Sequence, residues 1–150
     1  MCDYTGRKDD PLRHSPPSVK TLFVDTSAWY DLLFSGAPAH AGIVALMRRQ
    51  DLGFITSTYV LDELAALLVA RSGHAAAARA GTHIRSSAEV IVQHPDAAEE
   101  FRAWSLFLAR SDKRYTLTDC LSFVMMRRLQ IDTAMATDDH FRQEGFLTLP

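Results

Sequence analysis

The sequence predicts an α/β protein, a three-layer α/β/α sandwich around a central, mostly parallel sheet of four to five strands. Three observations carry this. Short apolar runs rich in β-branched and aromatic residues (TLFV, GFITS, EVIV, TAMAT) recur along the chain, as buried strands do. Stretches of helical periodicity separate them. Strands that alternate with helices form parallel sheets covered on both faces. The chain has 150 residues, 47% of them hydrophobic, which suits one domain with a full core.

Taken in order, residues 1–20 are polar and charged and include Pro11, Pro16 and Pro17. Such a stretch buries too little surface to offset its ordering entropy, so it reads as a flexible N-terminal extension; it carries no signal peptide. The folded domain is expected over residues 21–150. TLFV opens it as a strand. Asp25, Thr26 and Ser27 then offer N-cap chemistry for a helix bearing Trp29, Leu32 and Leu33, closed by Gly36 and Pro38. A second helix turns Ile43, Val44, Leu46 and Met47 inward and Arg48 and Arg49 outward. GFITS is the second strand.

A long helix follows over about 58–71, ended by Gly73. The Ala-rich HAAAARAGTHIRSS is another helix, and EVIV is the third strand. HPDAAEE starts a helix with Pro95 in its first turn and Asp96, Glu99 and Glu100 complementing its dipole. Phe101, Trp104, Phe107 and Leu108 form its apolar face. TDCLSFVMMRRLQ is the next helix, TAMAT the fourth strand, DDHFRQ a short helix and FLTL an edge strand.

Composition narrows the function. The formal charge is −2, without the basic excess of a protein held to nucleic acid by net charge. An acidic metal site would lower the total while basic patches remain elsewhere. Cys2 and Cys120, the only cysteines, make neither a disulfide framework nor a zinc spacing, which suits a reducing cytoplasm. LAALLVA is too short to cross a bilayer.

Four acids stand out. In an open parallel sheet the ligand crevice lies outside the carboxyl ends of the strands, and Asp25 and Asp138 each follow a predicted strand. Asp119 opens a helix. Glu63 shares the i, i+3, i+7 stripe of Val60 and Leu67, interrupting an apolar face, where a lone carboxylate is costly. Asp62 points about 100° away and reads as solvated. Taken singly the acids have plain roles. Asp25 reads as an N-cap, Asp119 as a dipole complement with Thr118 as cap, and Asp138 and Asp139 as caps of the short helix. Taken together they would fall on one side of one sheet, and gathered carboxylates need a counter-charge such as a divalent metal.

The segments VDTSAW, TSTYVLDE, LTDCLSFVMMRRLQIDTAMATDDHF and the late GF carry a resemblance. Over about residues 21–149 the chain resembles the PIN-domain ribonucleases, and most closely the toxins of VapBC-type toxin–antitoxin pairs. The resemblance implies an α/β/α sandwich and a quartet, Asp25, Glu63, Asp119 and Asp138, that binds Mg²⁺ or Mn²⁺. Asp25 and Asp119 would bind the ion directly, or Asp25 would bridge two ions. Glu63 and Asp138 would complete the shell or orient water. Thr26, Ser27 and Thr137 would support the site. It further implies an RNA substrate cut to 5′-phosphate and 3′-hydroxyl ends, a small antitoxin partner and a homodimer. Among Arg48, Arg49, Arg71, Lys113, Arg114, Arg127 and Arg128, the run RSDKRY makes Lys113 and Arg114 the best candidates for RNA contact.

His140, two residues past Asp138, is expected to face away from it and to be structural or exposed. Cys120 reads as a small core residue. No glycine-rich phosphate loop is present. Ser27 stands where a haloacid-dehalogenase-like phosphatase would need its second Asp, and the last lysine, Lys113, precedes a helix rather than ending a late strand as a receiver domain would require. The alternative of a different class is a catalytically silent PIN-like module that binds RNA or protein.

Overall fold

The computed structural model describes residues 19–150. The expected extension falls on residues 1–20, of which 1–18 lie outside the described residues, while Lys20 already belongs to the first strand. That strand, β1 (Lys20–Val24), is followed by α1 (Thr26–Leu33), α2 (His40–Met47), β2 (Leu52–Ser57), α3 (Thr58–Ser72), α4 (His74–Ser86) and β3 (Val90–Gln93). Then come α5 (Ala97–Ala109), α6 (Leu117–Leu129), β4 (Thr133–Met135), α7 (His140–Gln143) and β5 (Leu147–Leu149).

The five strands form one sheet in the order β3-β2-β1-β4-β5, every pairing parallel. β1 is central, pairing with β2 on one side and β4 on the other. Its Leu22, Phe23 and Val24 are fully buried, as expected of a strand covered on both faces, and this is why its sequence is a continuous apolar run rather than an alternation. β5 lies at the sheet edge, where FLTL was expected.

From β1 the chain moves outward through β2 to β3, then returns across the sheet to place β4 beside β1. The change of direction falls between β1 and β4, the place where such folds open a crevice at the carboxyl ends of the strands. Backbone bonds extend the pairing to that end: Asp25 N–H donates to the Met135 carbonyl at 3.0 Å, and Ala136 N–H to that of Leu149 at 3.1 Å. A buried relay fastens α1 to the same place. Trp29 Nε1 donates to Thr56 Oγ1 at 3.1 Å, and Thr56 Oγ1 donates to the Val24 carbonyl at 2.8 Å.

The long third helix ends where Gly73 takes φ +85°, a conformation glycine adopts without a Cβ clash. Three local expectations are corrected. Pro95 precedes α5 instead of lying in its first turn, because Asp96 is the N-cap, in a reciprocal capping box with Glu99. The cap of α6 is Thr116, not Thr118. The face of α5 expected to be apolar and inward is largely outward: Phe101 is 71%, Leu108 62% and Trp104 50% exposed, while Ala103 and Glu99 are buried. Ala103 lets α5 approach closely, and Glu99 turns inward because Arg128 meets its carboxylate at 2.5 Å. An ion pair and a small residue therefore override the aromatic stripe.

The aromatic core under the crevice consists of Phe23, Phe123, Phe141 and Phe146, with Phe123 and Phe141 edge-to-face at 5.0 Å. Phe123→Ala should cost about 3–5 kcal/mol in urea denaturation, combining lost transfer energy with a cavity. Phe101→Ser on the outer face of α5 should change stability by no more than about 0.5 kcal/mol. Equal losses in the two variants would contradict this packing.

Candidate active site

Asp25 follows β1 directly and caps α1. Its Oδ2 accepts from Ser27 N–H at 3.1 Å and Ser27 Oγ at 2.7 Å. The N-cap reading is therefore correct, but it accounts for only one oxygen. Asp25 is 2% exposed, and its Oδ1 has no hydrogen-bond partner among the described residues. Burial, followed by the negative charges of Asp138 and Asp119, pushes the Asp25 carboxyl from its ordinary 3.8 up to about 7; the Ser27 hydrogen bonds pull the other way without prevailing.

Ser27 also ties the two central strand ends together, since its Oγ accepts from Thr137 N–H at 3.0 Å. Thr137 thus contributes through its backbone, and the residue itself is exposed. The Thr26 hydroxyl donates to Glu63 Oε2 across the gap between α1 and α3. Glu63 is half-buried at the border of a buried stripe formed by Val60, Leu61, Leu64 and Leu68. It flanks that face rather than interrupting it.

Asp119 lies in the first turn of α6, 4% exposed. Its Oδ2 accepts from Thr116 N–H at 2.8 Å, and its own N–H donates to Thr116 Oγ1 at 3.1 Å, completing a capping box. Burial raises its carboxyl above the usual range; the Thr116 N–H bond and nearby His140 oppose this, and Asp138 adds to it. Asp138 follows β4 by three residues, and its Oδ1 accepts from His140 N–H at 3.1 Å.

His140 is where the sequence reading needs correction. Its Nδ1 lies 2.8 Å from Asp119 Oδ2 and 3.9 Å from Asp138 Oδ2. Helical spacing would send the ring away from Asp138, but Asp138 precedes the helix in a turn, and His140 opens α7. Asp119, Asp138 and His140 each offer a ligand atom within 4.8 Å of one another. Asp25 is not one of this close trio, but the negative charges of Asp138 and Asp119 reach its carboxyl and help to raise it. Glu63 reaches the cluster's edge through Thr26 and is not one of the close trio.

Two other inward carboxylates show what a structural role looks like here. Glu99 is held by Arg128, and Glu144 by Arg110 and Arg127. Among the described residues, no Lys or Arg forms an ion pair with Asp25, Glu63, Asp119 or Asp138. The cluster thus combines buried negative charge, an unpartnered oxygen and no arginine, which fits a hard divalent cation with oxygen ligands. Of the basic candidates, Arg49 pairs with Asp51, Arg127 with Glu144 and Arg128 with Glu99. Arg71 lies 5.2 Å from the Tyr30 ring centroid. Lys113 and Arg114 lie exposed in the loop that leads into α6 and Asp119, with Lys113 Nζ 3.7 Å from its neighbour Asp112.

A family model described as PIN domain matches residues 22–147. The chain belongs to the PIN-domain family. It is 36% identical over 126 residues, 84% of this chain and 95% of the relative, to proteins from two strains of Mycobacterium tuberculosis, each named 23S rRNA-specific endonuclease VapC20. The crystal structure of M. tuberculosis VapC20, titled a sarcin–ricin loop cleaving toxin, matches with a TM-score of 0.77 at 36% identity, covering 84% of this chain and 96% of that one. This PIN domain is therefore similar to a VapC toxin along nearly its whole described length.

The buried Asp25 gives a pH test. The folded, metal-free protein holds this proton up to about pH 7, whereas the unfolded chain releases it near pH 4. Between those values the unfolded state binds fewer protons, so this group's contribution to stability falls as pH rises. In EDTA, Asp25→Asn should gain on the wild type from pH 4 to pH 7, reaching about 1–4 kcal/mol of unfolding free energy in urea melts. A difference between the two that is flat across this range would show that Asp25 ionises normally.

Proposed function

We propose that this PIN-domain protein is a Mg²⁺- or Mn²⁺-dependent endoribonuclease and the toxin of a cytoplasmic toxin–antitoxin pair. The observation that carries it is the buried, unpartnered Oδ1 of Asp25 beside Asp119 and Asp138 at the switch point of the sheet. Asp25, Asp119 and Asp138 would hold the cation, with Glu63 at the margin. When bound, the cation supplies Lewis-acid polarisation and a counter-charge for the phosphodiester.

The chain's own residues do the positioning. Ser27 clamps Asp25 Oδ2 and the Thr137 backbone, leaving Oδ1 for the ligand. Thr26 holds Glu63, whose carboxylate orients water for in-line attack. Lys113 and Arg114 grip phosphates flanking the cut. The products are 5′-phosphate and 3′-hydroxyl ends. Such hydrolysis needs no 2′-hydroxyl, so the preference for RNA comes from the surrounding surface and rests on kinship with VapC20. That kinship makes ribosomal RNA the first substrate to test.

Two partners belong to this reading. A small antitoxin would seat an apolar segment in the groove of about 540 Å³ lined by Trp29, Leu32, Leu33, Met47 and Ile84, with Arg79 at its rim. A second copy of the chain would complete a homodimer. No helix among the described residues is long and apolar enough to cross a membrane.

Purified protein should cleave ribosomal RNA with Mg²⁺ or Mn²⁺ and stop with EDTA. Asp25→Asn and Asp119→Asn should each lower kcat by about 10²- to 10³-fold, the scale of losing one preorganised electrostatic group. Equal activity in wild type and Asp25→Asn would favour the silent module instead. Lys113→Ala combined with Arg114→Ala should raise KM with little change in kcat, and should flatten the dependence of log KM on log salt by about 0.7 per lost phosphate contact on a single strand. An unchanged salt slope would remove these residues from the RNA surface.

A further inference from the structure

His140 offers both its donors to the metal-site carboxylates. Its backbone N–H meets Asp138 Oδ1 at 3.1 Å, and its ring Nδ1 meets Asp119 Oδ2 at 2.8 Å. The same Asp119 oxygen also takes Thr116 N–H. Asp119 Oδ1 and Asp138 Oδ2 are left without a protein donor at hydrogen-bonding distance among the described residues. The buried Asp25 Oδ1, which has no hydrogen-bond partner among the described residues and follows the neighbouring strand β1, points independently to a ligand in this crevice.

We propose that His140 is a positioning residue that brackets Asp119 and Asp138, using one oxygen of each so that the other is presented to the cation. The proposal rests on the metal-dependent reading above. A carboxylate on a short side chain rotates about χ2, and a donor fixed on one oxygen removes that freedom before the ligand arrives. The bracket is itself rigid. Phe141, the next residue, is fully buried among Phe23, Phe123 and Phe146. Tyr115 packs edge-on against the His140 ring at 5.5 Å. His140 thus couples the first turn of α6 to the turn after β4, two segments 21 residues apart. A carboxylate oxygen accepts, so Nδ1 is the donor in the contact with Asp119 and is not free as a ligand atom.

The test is Mn²⁺ binding to the full, EDTA-stripped chain, followed by calorimetry and by electron paramagnetic resonance, with thermal melts to check folding. His140→Ala should weaken Mn²⁺ binding about 10- to 100-fold, the usual cost of losing a hydrogen bond to a metal-ligating group. His140→Asn, whose amide N–H can occupy the place of Nδ1–H, should recover at least about tenfold of that loss. Wild-type affinity in a folded His140→Ala would overturn the proposal, as would a folded His140→Asn no better than His140→Ala. Modulation from a directly bound imidazole nitrogen in the wild type would overturn it too, making His140 a ligand. No Mn²⁺ binding by the wild type would sink the metal reading itself, and the bracket with it.

Discussion

A carboxylate taken out of water needs a partner, or it keeps its proton. Asp25 is such a group: one oxygen is satisfied by Ser27, the other by nothing in the described chain, and two more acids stand nearby. An arginine could have answered this need, and arginines do so for Glu99 and Glu144. At Asp25 the fold leaves the charge uncompensated. That choice makes this group's contribution to stability fall as pH rises toward neutrality, and in the function proposed above it leaves the oxygen to a cation. The rest of the crevice, from the Ser27 clamp to the Thr26–Glu63 bond, is arranged around it.

The sheet topology explains why this happens where it does. β1 is buried on both faces and flanked by strands on both sides, so the residue after Val24 emerges from the driest part of the molecule. The chain leaves β1 toward β2 and returns at β4, so no connection covers the gap between their ends. The acids at that gap come from three kinds of local structure: a strand end, a helix first turn and a post-strand turn. Two of them also serve helix starts: Asp25 caps α1, and Asp119 completes the capping box in which Thr116 caps α6. The capping role and the proposed metal-holding role are compatible because a carboxylate has two oxygens, and capping occupies one.

Local sequence rules worked where short-range physics governs. The apolar runs became strands, Gly73 ended α3, and Asp25 capped α1. They failed where a distant partner intervened. Phe101, Trp104 and Leu108 looked like a core face, yet Arg128 draws Glu99 inward from 29 residues away and Ala103 sets the close approach. Glu63 looked as if it broke a core stripe, yet the buried stripe of α3 runs through Leu61, Leu64 and Leu68 and leaves Glu63 on its border. Helical spacing misleads for His140 because Asp138 precedes the helix that His140 opens. The only signal available in the sequence was its position at the start of a short helix after an acidic turn, which does not fix a ring's direction.

By itself the sequence determined the alternation of strands and helices, hence a parallel sheet, and the identity of the acids at strand ends and helix starts. Periodicity and capping act over a few residues, so they can be read along a line. Tertiary structure alone decided which oxygen of each acid stays open, that Asp25 would lie dry with a carboxyl raised to about 7, and that His140 would reach Asp119. Those outcomes depend on burial and on hydrogen bonds between segments remote in the chain, and no local pattern encodes the desolvation that a neighbouring layer imposes.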